Sequence, residues 1–182
     1  MYSKRELLDL LLGTRIWIAV FLAGILAGSL FYSQVYDLIY PLLKNTVALA
    51  EKPASLSSVS ESVYLLFLYF FKNALVIVLC LMTTRSSRGL LPGLILTING
   101  LVLGFAATLI HNLTGLSYGL FALGILPHGI FEFTALFLAC AAGWQAVDYR
   151  KAWRFIWLPL SLLAIAAVIE AFVSPWVIKS LV

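Results

Sequence analysis

Long runs of apolar residues alternate along the chain with short clusters of charge, turn residues and prolines. A helix needs about 20 apolar residues to cross a ~30 Å hydrocarbon core. Five runs approach or exceed that length: 16–36, 61–84, 89–110, 119–147 and 152–173. The first fifteen residues, MYSKRELLDLLLGTR, mix leucines with charges and suit either a short helix on the cytoplasmic interface or a helical extension of the first span. In 37–60 the hydrophobicity is broken by Asp37, Pro41, Lys44, Glu51, Lys52, Pro53 and a Ser-rich stretch. Its amphipathic part, Leu42 to Ala50, fits an external surface helix or loop. TTRSSRG, HNLTGLSYG and DYRKAWR mark the remaining turns. The pattern predicts an all-α, polytopic helical membrane protein, with five transmembrane helices and short interfacial helices in a single membrane domain over 1–182.

Composition agrees with the pattern. Of 182 residues, 63% are hydrophobic and 11% charged, against about 45–50% and about 25% in an ordinary soluble domain. That balance excludes a water-soluble globular protein. A net charge of +4 carries no nucleic-acid signal, because the charges sit almost entirely between the apolar runs. On one side of the membrane fall Lys4, Arg5, Arg15, Arg85, Arg88, Arg150, Lys151 and Arg154, and on the other Lys44, Lys52 and Lys179. The positive-inside rule then places the N-terminus in the cytoplasm, and five crossings place the C-terminus outside the cell membrane. The sequon Asn112-Leu113-Thr114 falls on the outer side.

Ile16 to Tyr32, preceded by Lys4, Arg5 and Arg15, imitates a signal peptide, but it lacks an A-x-A cleavage site and is long enough to span. Cys80 and Cys140 lie inside apolar runs without C-x-x-C or Cys/His spacing, so neither a disulfide nor a thiolate metal site is expected. Trp17, Trp144, Trp153, Trp157 and Trp176 fall near span ends, as in interfacial aromatic belts. No Walker loop, dinucleotide-binding glycine pattern, G-x-S-x-G or H-E-x-x-H is present.

Chemistry concentrates where polar residues enter the spans. Lys72 and Asn73 lie at the centre of the second run, Asn99 in the third, His128 and Glu132 in the fourth and Glu170 in the fifth. An ionisable group in hydrocarbon costs several kcal/mol unless it is paired. Counted from the cytoplasmic span ends, Asn99, Asn73 and Lys72 fall at about 15–18 Å, Glu132 at about 22 Å, and His128 and Glu170 at about 27–28 Å. Side chains from four helices would thus form one column rising from mid-membrane. His128 and Glu132, four apart, share a helix face. With Glu170 they offer an imidazole and two carboxylates, a set suited to a divalent metal ion. The same groups suit a proton, ion or solute pathway, or a structural polar network paired with Lys72. Pro127 and Gly129 loosen the helix beside His128 or simply kink it. Gly24/Gly28 and Gly100/Gly104 have the small-xxx-small spacing that lets helices approach closely.

FFKNALVIVL around Asn73, INGLVLG around Asn99, GILPHGIFEFTALFLACAAG around His128 and Glu132, and IEAFVSP around Glu170 together span about residues 61–175. On these segments the sequence resembles the stage II sporulation protein M family of integral membrane proteins. The LPHGIFE stretch after an N-G-x-x-x-G helix is the most specific part. The resemblance implies a shared membrane core. Spore-forming bacteria use it in a complex with peptidoglycan-degrading partners, and bacteria and archaea that do not sporulate also carry it. The family pattern marks Asn73, Asn99, His128, Glu132 and Glu170. Lys72 departs from an otherwise neutral Asn-centred segment.

The leading expectation is a non-enzymatic membrane scaffold or assembly factor of this type. The alternatives are a channel or transporter for an ion or small solute, and an intramembrane metal-dependent hydrolase. The partners expected are the lipid bilayer and either other membrane proteins or a second copy, in a dimer formed through the small-residue faces.

Overall fold

A computed structural model of the chain describes residues 4–34, 36, 41, 59–146 and 153–174. The expected amphipathic segment 42–50, the basic residues Lys44, Lys52, Arg150, Lys151 and Lys179, and Trp176 lie outside them. The described residues form α1 (Lys4–Leu30), α2 (Val59–Ser86), α3 (Leu90–Thr114), α4 (Tyr118–Gln145) and α5 (Trp157–Val168). A five-residue π-helical segment, Ile169–Val173, continues α5. Five helices are long and apolar enough to cross a membrane, the last of them taken as Trp153–Val173. The protein is an all-helical, multi-pass membrane protein.

Residues 4–15 do not form a separate helix. They are the first turns of α1, whose 27 residues run unbroken through Gly13 and Thr14. At ~1.5 Å per residue α1 is about 40 Å long, the thickness of a bilayer with its headgroup regions. Tertiary contacts hold the extension in place. Leu10 is buried, and the side-chain amide of Gln145 in the last turn of α4 donates to the Asp9 carbonyl at 2.5 Å.

The turn between α2 and α3 is tight because Gly89 adopts φ 81°, which costs glycine nothing. Its N–H donates to the Thr84 carbonyl at 2.7 Å. Pro92 sits in the first turn of α3, where its missing donor breaks no intrahelical bond. Gly115, at φ 74°, ends α3 with its N–H on the His111 carbonyl, and Ser117 caps α4 by accepting from the Leu120 N–H at 3.3 Å. Pro127 leaves α4 continuous from Tyr118 to Gln145.

Two packing relations organise the bundle. α1 lies chiefly against α3, while α4 touches α1, α2 and α5. The first relation rests on glycine. A Cβ at Gly24 would come 2.6 Å from the Thr97 carbonyl oxygen and 3.2 Å from the Gly100 Cα. Cβ atoms at Gly28, Gly100 and Gly104 would collide with the carbonyl oxygens of Leu101, Phe21 and Ile25. Close backbone contact allows the Ser29 hydroxyl to donate to the Gly104 carbonyl at 3.2 Å. These four glycines are therefore occupied within one chain, joining α1 to α3, and are not free to carry a dimer. The second relation centres on the stretch Ala135–Gly143 of α4, every residue of which is buried. Gly143 lets α2 approach, since a Cβ there would meet the Leu81 carbonyl oxygen at 2.5 Å.

Aromatic residues fill the joint between α1 and α4. Phe21 packs against Phe133 and Phe137, with ring centroids 4.6 and 5.5 Å away. Trp17, expected in an interfacial belt, is 5% exposed and meets Trp144 edge-on at 6.4 Å. Its position follows from the glycine packing, which brings the Gly89 turn against it. Trp144, Trp153 and Trp157 are exposed, as a belt requires.

Candidate functional site

α2 contributes Lys72 and Asn73, α4 contributes His128 and Glu132, and the π-helical segment contributes Glu170. α2 packs on both α4 and α5, and all three meet the π-helical segment. The Asn73 side chain forms a hydrogen bond with Glu132, and the Lys72 charge acts on the same carboxyl. Glu170 feels the charges of both Glu132 and Lys72, and Tyr69, one turn before Lys72 and Asn73 on α2, feels that of Glu170. Asn73, Glu132 and Glu170 are half-buried, whereas Lys72 is exposed on the outer surface of α2.

His128 is half-buried and takes a different partner from Glu132, although one helical turn separates them. Its Nδ1 lies 2.8 Å from the Ser174 hydroxyl, in a hydrogen bond whose direction follows the imidazole tautomer. Ser174 is buried and directly follows the π-helical segment. In that segment the backbone bonds reach five residues back instead of four, a geometry found mostly as single turns and frequently at functional sites. It carries Glu170 on the same short stretch that ends at the His128 partner.

Asn99 is not brought to these residues. It is exposed, and its amide donates to the Ile95 carbonyl of its own helix at 2.8 Å. The neighbouring Gly100 is the cause: it turns one face of α3 into α1 and leaves Asn99 beside that contact, pointing elsewhere. Among the described residues no three His, Cys, Asp or Glu side chains come together to hold an ion. His128 takes Ser174 as a hydrogen-bond partner and Glu132 takes Asn73.

Ser174, Tyr69 and Arg85 have partners that no sequence pattern announced. The Arg85 guanidinium donates to the Ala146 carbonyl at 2.6 Å, placing a cation at the C-terminal end of α4. The Cys80 and Cys140 thiols meet between α2 and α4 and are both free and buried. The small-residue run Ala139-Cys140-Ala141-Ala142-Gly143 was the available signal for that close approach.

A groove of about 360 Å³ runs between α3 and α4 over α1. Phe21, Ile25, Leu103, Ile125 and Phe133 line much of it, and none of Lys72, Asn73, His128, Glu132 or Glu170 does.

The family model described as stage II sporulation protein M matches residues 17–175. No curated protein and no solved structure matches the chain.

Proposed function

Because this chain belongs to the stage II sporulation protein M family, we propose that it is a membrane scaffold or assembly factor whose intramembrane polar residues hold helices together. One observation carries the reading: polar residues of α2 and α4 take partners on neighbouring helices. Asn73 engages Glu132, Lys72 offsets the two carboxyls, and His128 engages Ser174. A polar side chain without a partner in hydrocarbon costs several kcal/mol, so interhelical pairing fixes which helices meet and at what depth. On this view the N-terminus lies in the cytoplasm, and the lipid-facing sides of α2 and α5 are left to meet other membrane proteins.

The test compares full-length wild type with Glu132→Ala, by cross-linking in native membranes and by thermal unfolding in mild detergent. A discrete wild-type adduct that weakens along with thermal stability in the variant is the expected result. A folded wild type that cross-links to nothing counts against a scaffold.

A second reading, an ion or proton path, draws on Glu170. The π-helical segment sets this second carboxyl within electrostatic reach of Glu132, and the Lys72 charge acts on both. A carboxyl in excess of cations is a feature of intramembrane proton relays.

A further inference from the structure

Of the five spans α2 is the least covered: 17% of its apolar stretch is buried, against 22–33% in the others. One side of it packs on the bundle through buried Ile77, Cys80, Leu81 and Thr84. At about 100° per residue the opposite side is a stripe of Leu68, Phe71, Lys72, Leu75 and Leu79, all of them exposed. Four of these side chains suit a lipid-facing surface. The fifth carries a positive charge.

Its depth rules out an escape to water. Lys72 is nine residues from Val63 and fourteen from Ser86, the two ends of the span, which at ~1.5 Å per residue are distances of about 14 and 21 Å. The four-carbon stem of lysine extends about 6 Å, so the ammonium stays in the hydrocarbon. Lipid tails cover leucine and phenylalanine wherever they point, but they offer no acceptor to an ammonium with three donors. Charges at this depth face a protein interior or a water-filled cavity and pair with one another. From the bundle side Glu132 and Glu170 share an electrostatic interaction with Lys72, while Glu132 takes its hydrogen bond from Asn73. Lys72 nevertheless remains exposed on the outward side.

Charge also selects the occupant of this face. Two copies meeting through it about a twofold axis would set Lys72 against Lys72 at one depth, and like charges there repel. The complement is a carboxylate, which would accept a charge-assisted hydrogen bond from the ammonium. Leu68, Phe71, Leu75 and Leu79, at i, i+3, i+7 and i+11, form the apolar ridge along which a helix carrying that carboxylate would pack. We propose that the Lys72 face of α2 docks a transmembrane helix of another membrane protein, one with an aspartate or glutamate at the same depth. This rests on the scaffold reading and gives the partner its chemistry.

The first arm of the test uses the full chain with a donor fluorophore on a C-terminal tag, reconstituted in phosphatidylcholine vesicles at neutral pH. The probes are acceptor-labelled leucine/alanine transmembrane peptides with glutamate, leucine or lysine at the central position. Energy transfer is expected to show several-fold stronger association of the glutamate peptide than of the other two. Lys72→Leu and Lys72→Gln should abolish the preference and Lys72→Arg should keep it, with circular dichroism checking that each variant is folded. In the second arm Phe71 on this face, or exposed Ile98 on α3, is replaced by p-benzoylphenylalanine, and adducts formed in native membranes are sequenced by mass spectrometry. The Phe71 position should yield adducts to an Asp- or Glu-bearing transmembrane segment that are lost with Lys72→Leu. Equal association of the three peptides, a preference that persists in a folded Lys72→Leu or Lys72→Gln variant, or Phe71 adducts only to lipid, to the same chain or to a second copy would overturn the proposal. Protein adducts from Ile98 would in that event leave the scaffold reading standing, and protein adducts from neither position would count against both.

Discussion

Gly24 and Gly100 face one another across α1 and α3, so that a Cβ built on either falls within 3.2 Å of the other's Cα. No side chain separates the two helices at this point. Backbone atoms form the contact, and neither partner can yield by changing a rotamer.

Substitution here should therefore be costly. Gly100→Ala forces its Cβ onto the Phe21 carbonyl and should destabilise by about 1–3 kcal/mol, the usual range for overpacking. Gly93→Ala on the same helix meets nothing within 4 Å and is expected to be neutral or mildly stabilising. Apparent Tm in detergent, read for both variants, checks the contrast.

The Asn73–Glu132 hydrogen bond predicts non-additive behaviour. In a double-mutant cycle of Asn73→Ala and Glu132→Ala, the coupling should be about 0.6 kcal/mol and at most about 1.7 kcal/mol, the average and the maximum for interhelical bonds in a membrane protein. Purely additive losses would mean that the two side chains do not support each other.

His128 and Ser174 tie α4 to the end of the π-helical segment at 2.8 Å. Ser174→Ala should lower stability by about 1 kcal/mol. Most of that loss should disappear when His128 is already alanine. Thermal unfolding of the three variants decides it.

Arg85 donates to the Ala146 carbonyl at 2.6 Å. Arg85→Ala removes both a hydrogen bond and a cation from the C-terminal end of α4, a loss of about 0.5–1 kcal/mol. Hydrogen exchange should quicken in the last turn of α4 and stay unchanged around Ala135–Gly143.

The five spans were legible because apolar run length is set by bilayer thickness and depends on no tertiary detail. The glycine spacing was legible too, but not its use. Periodicity shows that a small-residue face exists and does not name the helix that fills it, so a contact within the chain reads the same as a dimer. The exposure of Asn99 was not legible for a related reason: depth along a helix can be counted, but rotation about its axis is set by Gly100 and Gly104 packing on α1. His128 and Glu132 share a face at i, i+4, yet His128 takes Ser174 as its partner, and nothing near residue 128 signals a partner 46 positions later. Residues 4–15 read equally well as surface helix or extension, and burial of Leu10 with the Gln145–Asp9 bond selected the extension.

The central claim is that the intramembrane polar residues hold structure and carry no flux. Its most direct test is cation and proton leak, under an imposed membrane potential, from vesicles loaded with a pH dye and containing wild type or Glu132→Gln. Leak equal to that of protein-free vesicles for both proteins is the expected result. Potential-driven flux in the wild type that vanishes in a folded Glu132→Gln variant would contradict the account and assign these residues to a pathway.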